Sequence, residues 1–566
     1  MVIKELHEIQ HKHGYVPEKE LTALSQRLNI PVYDLHGVAT FYPHFRMVPP
    51  PKVDVRVCGD FPCALNGCDK LRTDIEALCK GRSDVHVGHV SCLGQCDRAP
   101  GILINDHPYA GQGHAALLEL VKQALAGKEV PEQHFPGLKG PFKSDPYANE
   151  GERYGAIKTL INNILHPAPQ SEEQAAIESA VKGVASLGPI GDVIGKLKTG
   201  GLRGMGGAGF PTGSKWEAVN KAPGDEKYVV CNADECEVAT FKDRELMKNV
   251  PWLLVEGMVL AGIVVGAKRG FIYIRHEYHD QIHAMEKEIE VAKKLGIVGK
   301  NVLGSGKTFD LEVFVSPGGY IQGEESALLE AIEGHRGQPR VKPPFPVFVG
   351  LWGKPTVINN VETLSYVPCI LHKGPDWFKS QGINGCAGLK WIGVSGHVNT
   401  PGVFEVPMGT TYEEAINKLG GGMLGGKKIK AFAPSGPSGG FLPPSMMNLS
   451  MDFKIMQDAG SMLGSGAIVA IAEGTDMVEM ALNATRFYRN ESCGKCVPCR
   501  VGSQKMVDII YKIHKGNGTK ADLDDIEQLS DTLIMTSICG LGQVVPAPIQ
   551  SVLKYFKNEI DAKIKK

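Results

Sequence analysis

The sequence predicts a multidomain α/β protein, and three observations predict it. At 566 residues the chain exceeds what one hydrophobic core usually serves. Short apolar runs such as Val53, Val55 and Val57, or Lys227 to Cys231, read as strands and are separated by longer stretches with helical spacing. From Gly474 onward the strand signals stop and the chain reads as helix. Apolar content of 43% and charged content of 22% are those of an ordinary globular protein. With 61 basic against 62 acidic residues the net charge is −1, so no overall field attracts nucleic acid or anionic lipid. The start, Met-Val-Ile-Lys-Glu-Leu, lacks a secretory apolar core, and the apolar stretch Leu253 to Ala267 is short and broken by Glu256. A cytoplasmic chain without membrane insertion is expected. Its 14 cysteines, most of them clustered, point to metal ligation rather than disulfides.

Residues 1–126 open with amphipathic helices, marked by Leu6 and Ile9, then Leu21, Leu24 and Leu28. A compact α/β unit follows: a strand running into Cys58, a helix at about 70–79, strands at Val85–Val87 and 102–105, and a helix at 115–126. Cys58 and Cys63 (C-x4-C) with Cys92 and Cys96 (C-x3-C) place two thiol pairs on two loops. That arrangement suits a 2Fe-2S rhomb, one pair to each iron; a tetrahedral zinc site is the lesser alternative, since paired ligands also suit it. Cys68 and Cys79 fall on the helix and are expected to pack. Residues 127–190, rich in Pro, Gly and charge, read as a linker crossing a surface.

Residues 191–387 hold four constellations of glycine and polar residues. Gly201 to Gly213 contains G-x-G-x-x-G at Gly204, Gly206 and Gly209, yet the preceding Val193 to Thr199 looks helical rather than extended, unlike an ordinary dinucleotide fingerprint. Its physical core remains: glycines admit close approach to a phosphate, a helix starts near Pro211, and Lys215 adds a cation. Asn232, Asp234, Glu235 and Glu237 follow a strand and suit hydroxyl and ring-edge hydrogen bonds better than phosphate. Gly318 to Glu325 opens another helix, Lys342 to Phe345 follows, and Ile358, Asn359, Asn360 and Thr363 complete the set. Within about 160 residues these indicate one cofactor cleft.

Residues 388–473, with strand-like Val403 to Val406, a helix from Thr411 to Leu419 and many Gly-Pro turns, fit a small β-grasp domain that serves spacing and packing. Residues 474–566 are expected to form a helical bundle. Cys493, Cys496 and Cys499 (C-x2-C-x2-C), with Cys539 far downstream, suit the corners of a 4Fe-4S cube; a four-thiolate zinc site is the alternative, although zinc ligands more often come as two separated pairs. No further C-x2-C repeats follow before Lys566, so a fused ferredoxin tail is not expected.

On these motifs residues 1 to about 125 resemble the thioredoxin-like 2Fe-2S subunit of respiratory complex I, and residues 190 to 550 resemble its NADH-oxidising flavoprotein, shared with soluble NAD-linked hydrogenases and formate dehydrogenases. The resemblance implies a Rossmann-like FMN domain and a ubiquitin-like β-grasp domain. It implies FMN phosphate and ribityl contacts from Gly204, Gly206, Gly207, Lys215, Ile358, Asn359, Asn360 and Thr363. Asn232, Asp234, Glu235, Tyr320, Gly323 and Glu324 would hold the rest of the flavin. NADH would meet Phe210, Glu237, Glu325, Lys342 and Phe345, with Glu235, Glu237 and Glu325 as the acids that position and tune the chemistry. Departures are Val238-Ala239 for a usual Pro-Gly, Ala218 where relatives present a second stacking aromatic, and Gln322 for a frequent Cys. The implied activity is hydride exchange between NAD(H) and FMN, and single-electron exchange with one 4Fe-4S and one 2Fe-2S cluster. The implied partners are iron-sulfur and catalytic subunits of a soluble complex of formate dehydrogenase, hydrogenase or benzoyl-CoA-reductase type, with formate dehydrogenase ranked first. The alternative is an electron-transfer scaffold with clusters but a weak nicotinamide site, as in an electron-bifurcating complex.

Overall fold

The computed structural model describes residues 2–167 and 188–565. The middle of the expected linker, residues 168–187, lies outside the described residues.

Three four-stranded sheets organise the described residues. In the first, β1 (Val53–Cys58) pairs in parallel with β2 (Val85–Val90) and antiparallel with β3 (Ile102–Ile104), which continues to β4 (His107–Tyr109). Helices Cys68–Cys79 and Gly113–Leu125 pack on this sheet, with Cys68 and Cys79 in its core as expected. The three helices before it, Val2–His13, Glu18–Leu28 and Val32–Ala39, belong elsewhere in space. Their apolar face, with Leu6, Leu21, Leu24 and Leu35, shares a core with Phe271, Tyr273, Phe314 and Leu328 of the second sheet's domain. Sequence order suggested one N-terminal unit. Apolar burial divides it, because the first sheet already buries its own helices.

The second sheet is fully parallel, in the order β7 (Asp310–Ser316), β6 (Arg269–Arg275), β5 (Tyr228–Ala233), β8 (Thr356–Asn360). Its core helix Pro251–Val265 is apolar all round, as a helix buried on every side must be. It carries one charged residue, Glu256, fully buried. The partners of Glu256 come from the segment expected as a linker: Tyr147 Oη donates at 2.7 Å and the Ile157 N–H at 2.9 Å. That expectation is therefore corrected over Gly155–Leu165, an amphipathic helix burying Ala156, Ile157, Leu160 and Ile161. The Pro and Gly signals describe only the irregular stretch before it. Among the described residues no single helix is long and apolar enough to cross a membrane.

The third sheet is mixed, in the order β10 (Gly402–Pro407), β9 (Leu389–Gly396), β12 (Ala467–Ala472), β11 (Ile429–Ala433), with β9 and β12 parallel. This is the β-grasp arrangement. Helices Met477–Asn490, Val497–His514, Lys520–Thr536 and Ala547–Tyr555 form the C-terminal bundle.

Candidate functional site

Strand order places the cleft. In the parallel sheet β6 flanks β5 on one side and β8 on the other, so the winding reverses between β5 and β8, where a crevice opens beyond the carboxyl ends. Asn232 and Asn360 face each other in register at those ends. The glycine loop passes over them. A Cβ on Gly206 would stand 2.8 Å from the Asn360 Cβ, so only glycine fits, whereas Gly207 at φ 150° meets open space. The loop is held from below, because the Met205 N–H donates to Thr363 Oγ1 (2.8 Å) and the Gly204 N–H to the Phe210 carbonyl (2.8 Å).

The resulting cleft, of about 350 Å³, brings together Gly206, Gly207, Asn232, Asp234, Glu235, Glu237, Tyr320, Gly323, Glu324 and Asn360. Behind its wall lie Gly204, Lys215, Ile358, Asn359 and Thr363, whose polar atoms serve the framework. Lys215 Nζ donates to the Ile358 carbonyl at 3.0 Å, and Trp216 Nε1 to Asn359 Oδ1 at 2.8 Å. Phe210 and Phe345 stand half-exposed, and Lys342 Nζ bridges Glu324 and Glu325 at 2.7 Å each. Glu324 also caps helix Glu325–Glu333, accepting from the Ser326 and Ala327 N–H groups at 2.9 Å. Gln322 is buried, with its amide near the Gly337 carbonyl (3.4 Å).

Several lining residues escaped the sequence reading: Lys242, Asp243, Ser435, Ser438, Ser465, Gly540 and Leu541. Lys242 to Glu245 are four consecutive charged residues, a pattern that normally marks a solvated surface, yet each is at most 3% exposed. The serines come from the β-grasp domain, which is therefore part of the cleft as well as a spacer.

Burial sets the electrostatics. Asp234 is pushed up to about 7 by burial, and neither carboxyl oxygen has a hydrogen-bond partner among the described residues. Burial, with the Asp243 carboxylate beside it, pushes Glu235 up to about 8; its oxygens accept from the Asp243 and Arg244 N–H groups at 2.7 and 3.0 Å and from Tyr278 Oη at 3.1 Å. Glu237, raised by burial to about 7, accepts from Ser438 Oγ and, at 3.3 Å, from Ser465 Oγ. Below the cleft Glu362 pairs with both Lys242 (2.9 Å) and Lys390 (2.6 Å). Burial pushes Lys390 down to about 8, while the carboxylates of Asp243 and Glu362 overcome burial and hold Lys242 above its ordinary range.

Two cysteine quartets flank this cleft. Cys58, Cys63, Cys92 and Cys96 are each at most 3% exposed, and Cys92 Sγ lies 3.3 Å from Cys96 Sγ. The second sheet's domain grips their loop. Arg275, 1% exposed, donates to the carbonyls of Cys92 and Glu235 (2.7 Å each) and pairs with Glu277; Arg244 donates to Gly94 and Asp97. The backbone N–H of Ala239 faces the Cys92 and Cys96 thiols, and Ala239 holds φ 71°, a left-handed conformation where glycine would be unstrained. Cys493, Cys496 and Cys539 are partly exposed and Cys499 is buried. Cys496 stands at the N-terminus of helix Val497–His514 and Cys539 at that of Gly540–Val544, ends that favour an anionic cluster. Glu491 joins all three regions, accepting from Ser91 Oγ beside Cys92 and from the Tyr320 N–H (2.7 Å) in the cleft. A second cavity, of about 390 Å³, lies between the quartets, with Cys92 and Cys493 both in its wall.

The residues fit the implied groups. Asp234 offers an orphaned buried carboxyl to a hydroxyl or ring N–H, the Gly206 and Gly207 cradle admits a phosphate or ribityl chain, and each quartet offers four soft thiolates to iron.

Comparison with known proteins agrees. Residues 197–369 match the family described as Nuo51 FMN-binding domain, 479–563 the NADH-ubiquinone oxidoreductase-F iron-sulfur binding region, 1–125 the thioredoxin-like [2Fe-2S] ferredoxin, and 392–442 the SLBB domain. Both cysteine regions thus match iron-sulfur families, which decides against the zinc alternatives. The F-type chain of the NADH-quinone oxidoreductase of Aquifex aeolicus (strain VF5) is 46% identical over 63% of this chain and 82% of its own length. The NADP-reducing hydrogenase subunit HndC of Solidesulfovibrio fructosivorans is 43% identical over 66% and 76%, respectively. A crystal structure of an NAD+-reducing [NiFe]-hydrogenase in the air-oxidized state superposes with a TM-score of 0.81 at 28% identity, covering 99% of this chain and 93% of that one.

Proposed function

The chain belongs to the family of F-type chains of NADH-quinone oxidoreductase and their hydrogenase counterparts, and from that premise we infer that it is the NAD(H)-oxidising, FMN-dependent diaphorase component of a multi-subunit oxidoreductase. Bound FMN supplies the exchange between two-electron chemistry with NAD(H) and one-electron chemistry with the 2Fe-2S and 4Fe-4S clusters. One observation carries the reading. Gly540 and Leu541, which directly follow the ligand Cys539, form part of the cleft wall, so cleft and cubane loop are one piece of structure.

The protein's own residues bind and orient. Gly206 and Gly207 cradle the phosphate end while Asn232, Asp234 and Asn360 take the polar chain and ring edge. Lys242, held charged beneath the cleft by Asp243 and Glu362, balances negative charge arriving there. Phe210 and Phe345 offer apolar faces at the mouth, Lys342 and Glu325 present a polar pair to the dinucleotide, and Glu237 stands protonated or ionised near neutral pH with its serines fixing its direction. Lys215 and Thr363 act through the backbone they brace, and Asn359 through the Trp216 ring it holds.

Electrons leave toward a partner at the 4Fe-4S end, where Val497, Val501, Ile534 and Met535 expose apolar surface beside the ligand loops. Relatives named as hydrogenase components support a hydrogenase-type partner ahead of a formate dehydrogenase or benzoyl-CoA reductase type. We place the assembly in the cytoplasm. Reduction of an artificial dye by NADH, with FMN-loaded protein, tests the reading: activity is expected and is lost in Glu325→Ala and Phe345→Ala, whereas an inactive intact chain refutes it.

A further inference from the structure

Three side chains outside the redox sites converge where the first sheet's domain meets the flavin domain. His107 lies on β4, Glu132 on the extended stretch after helix Gly113–Leu125, and His279 at the start of helix His279–Lys294. One ligand atom from each lies within 4.8 Å of the other two. His107 Nδ1 stands 3.2 Å from Glu132 Oε1, and the two imidazole rings are 5.4 Å apart and nearly perpendicular. The edge of a tetrahedron with metal bonds of about 2.0 Å is about 3.3 Å, so the first pair is already at coordination spacing.

The surroundings leave these groups available. Around the same small cavity Asp280 pairs with Lys248 (2.5 Å) and His134 (2.7 Å), Glu277 with Arg275 (2.9 Å), and Glu245 with Arg244 (2.8 Å). By contrast His107 Nδ1 is buried in a geometry that satisfies no hydrogen bond. The backbones carrying the three are fixed. The Gln133 amide makes two 2.9 Å bonds to the backbone of Ala110, which pins Glu132 beside β4, and Tyr278, 1% exposed, anchors the start of the His279 helix. Burial, and the imidazole of His107 nearby, hold His279 below its ordinary range, which favours the neutral form that ligates.

We propose that His107, Glu132 and His279 form a zinc site that clasps the 2Fe-2S domain to the flavin domain, with water in the fourth position. Two imidazoles and one carboxylate suit zinc and exclude calcium or magnesium as the preferred ion, because those take oxygen ligands. The site uses none of the cluster cysteines or cleft residues, so its loss leaves flavin and iron in place.

The test uses the holoprotein, with clusters and FMN assembled, stripped of loose metal by a chelator and given zinc. One equivalent of zinc is expected, with an X-ray absorption shell of nitrogen and oxygen at about 2.0–2.1 Å and no sulfur at about 2.3 Å. That equivalent is lost in both His279→Ala and His107→Gln at unchanged iron and flavin content, and zinc raises the melting temperature of the parent protein only. No retained zinc, a sulfur shell, or the same equivalent in both variants overturns the proposal.

Discussion

The two cysteine quartets use identical ligand atoms in opposite surroundings. The 58–63–92–96 set is sealed, with no ligand more than 3% exposed, and it is gripped by buried guanidinium groups, Arg244 and Arg275, that reach across from the flavin domain. The 493–496–499–539 set is open on three of its cysteines, bordered by exposed Val497, Val501 and Met535, and linked to the flavin domain by lighter contacts such as Lys495 Nζ to the Pro339 carbonyl (2.7 Å) and Gln338 to the Cys493 carbonyl (3.2 Å). A sealed centre inside a charged clamp suits a side store for electrons. An open one sharing a wall with the cleft suits the exit. The difference teaches that ligand spacing identifies a cluster, while the side chains around it set its place in the path.

The sharpest way to break this contrast is to remove each centre. Cys539→Ala is expected to lose the 4Fe-4S iron and nearly all electron delivery to a partner while flavin and 2Fe-2S signals persist; Cys58→Ala is expected to lose the 2Fe-2S signal and keep delivery. Iron analysis, electron paramagnetic resonance and dye assays check both. The clamp comes next. Arg275→Ala leaves the largely enclosed Glu277 without its guanidinium partner and should cost about 3 kcal/mol, whereas Lys495→Ala, at an exposed position on the open side, should stay within about 0.5 kcal/mol. Denaturant melts of the two variants measure the gap.

The cleft gives a pH prediction. Asp234 has a folded pKa of about 7, raised by burial above its ordinary value of 3.8, so the flavin-free folded state holds an extra proton between about pH 4 and 7. Stability is therefore greatest below that window and falls as pH rises through it, by at most about 1.4 kcal/mol per pH unit. Asp234→Asn should flatten this slope, make the flavin-free protein more stable at pH 8, and weaken FMN binding. Melts across pH and flavin fluorescence titrations check it. The smallest effect sharpens the sealed side: Ala239→Gly relieves a left-handed alanine and should stabilise by about 1 kcal/mol or less, since glycine also gains freedom when unfolded.

Residues that line the cleft or make up the cysteine quartets through a local pattern were legible in the sequence. The cysteines, Gly206, Gly207, Asn232, Asp234 and Asn360 announce themselves by spacing and by lying at strand ends. Residues recruited over long range were not. Leu6 and Leu21 share a core with Phe271 and Phe314, hundreds of positions away. The charged run Lys242 to Glu245 is buried only because Asp97, Glu235, Asn360 and Glu362 come to meet it. Helix Gly155–Leu165 hid behind the Pro-rich stretch that precedes it, since its apolar stripe matters only once Glu256 requires partners. Asn359 and Thr363 sit in the right motif, yet their polar atoms turn into the framework because Trp216 and Met205 lack other partners there.

Electron passage from cleft to cubane requires the two to share one wall. Anaerobic addition of NADH to the FMN-loaded chain, followed by absorption and low-temperature electron paramagnetic resonance, tests it most directly. Bleaching of the flavin together with a reduced 4Fe-4S signal in the isolated chain is the predicted result. Flavin that bleaches while that cluster stays oxidised, or flavin that does not respond to NADH, contradicts it.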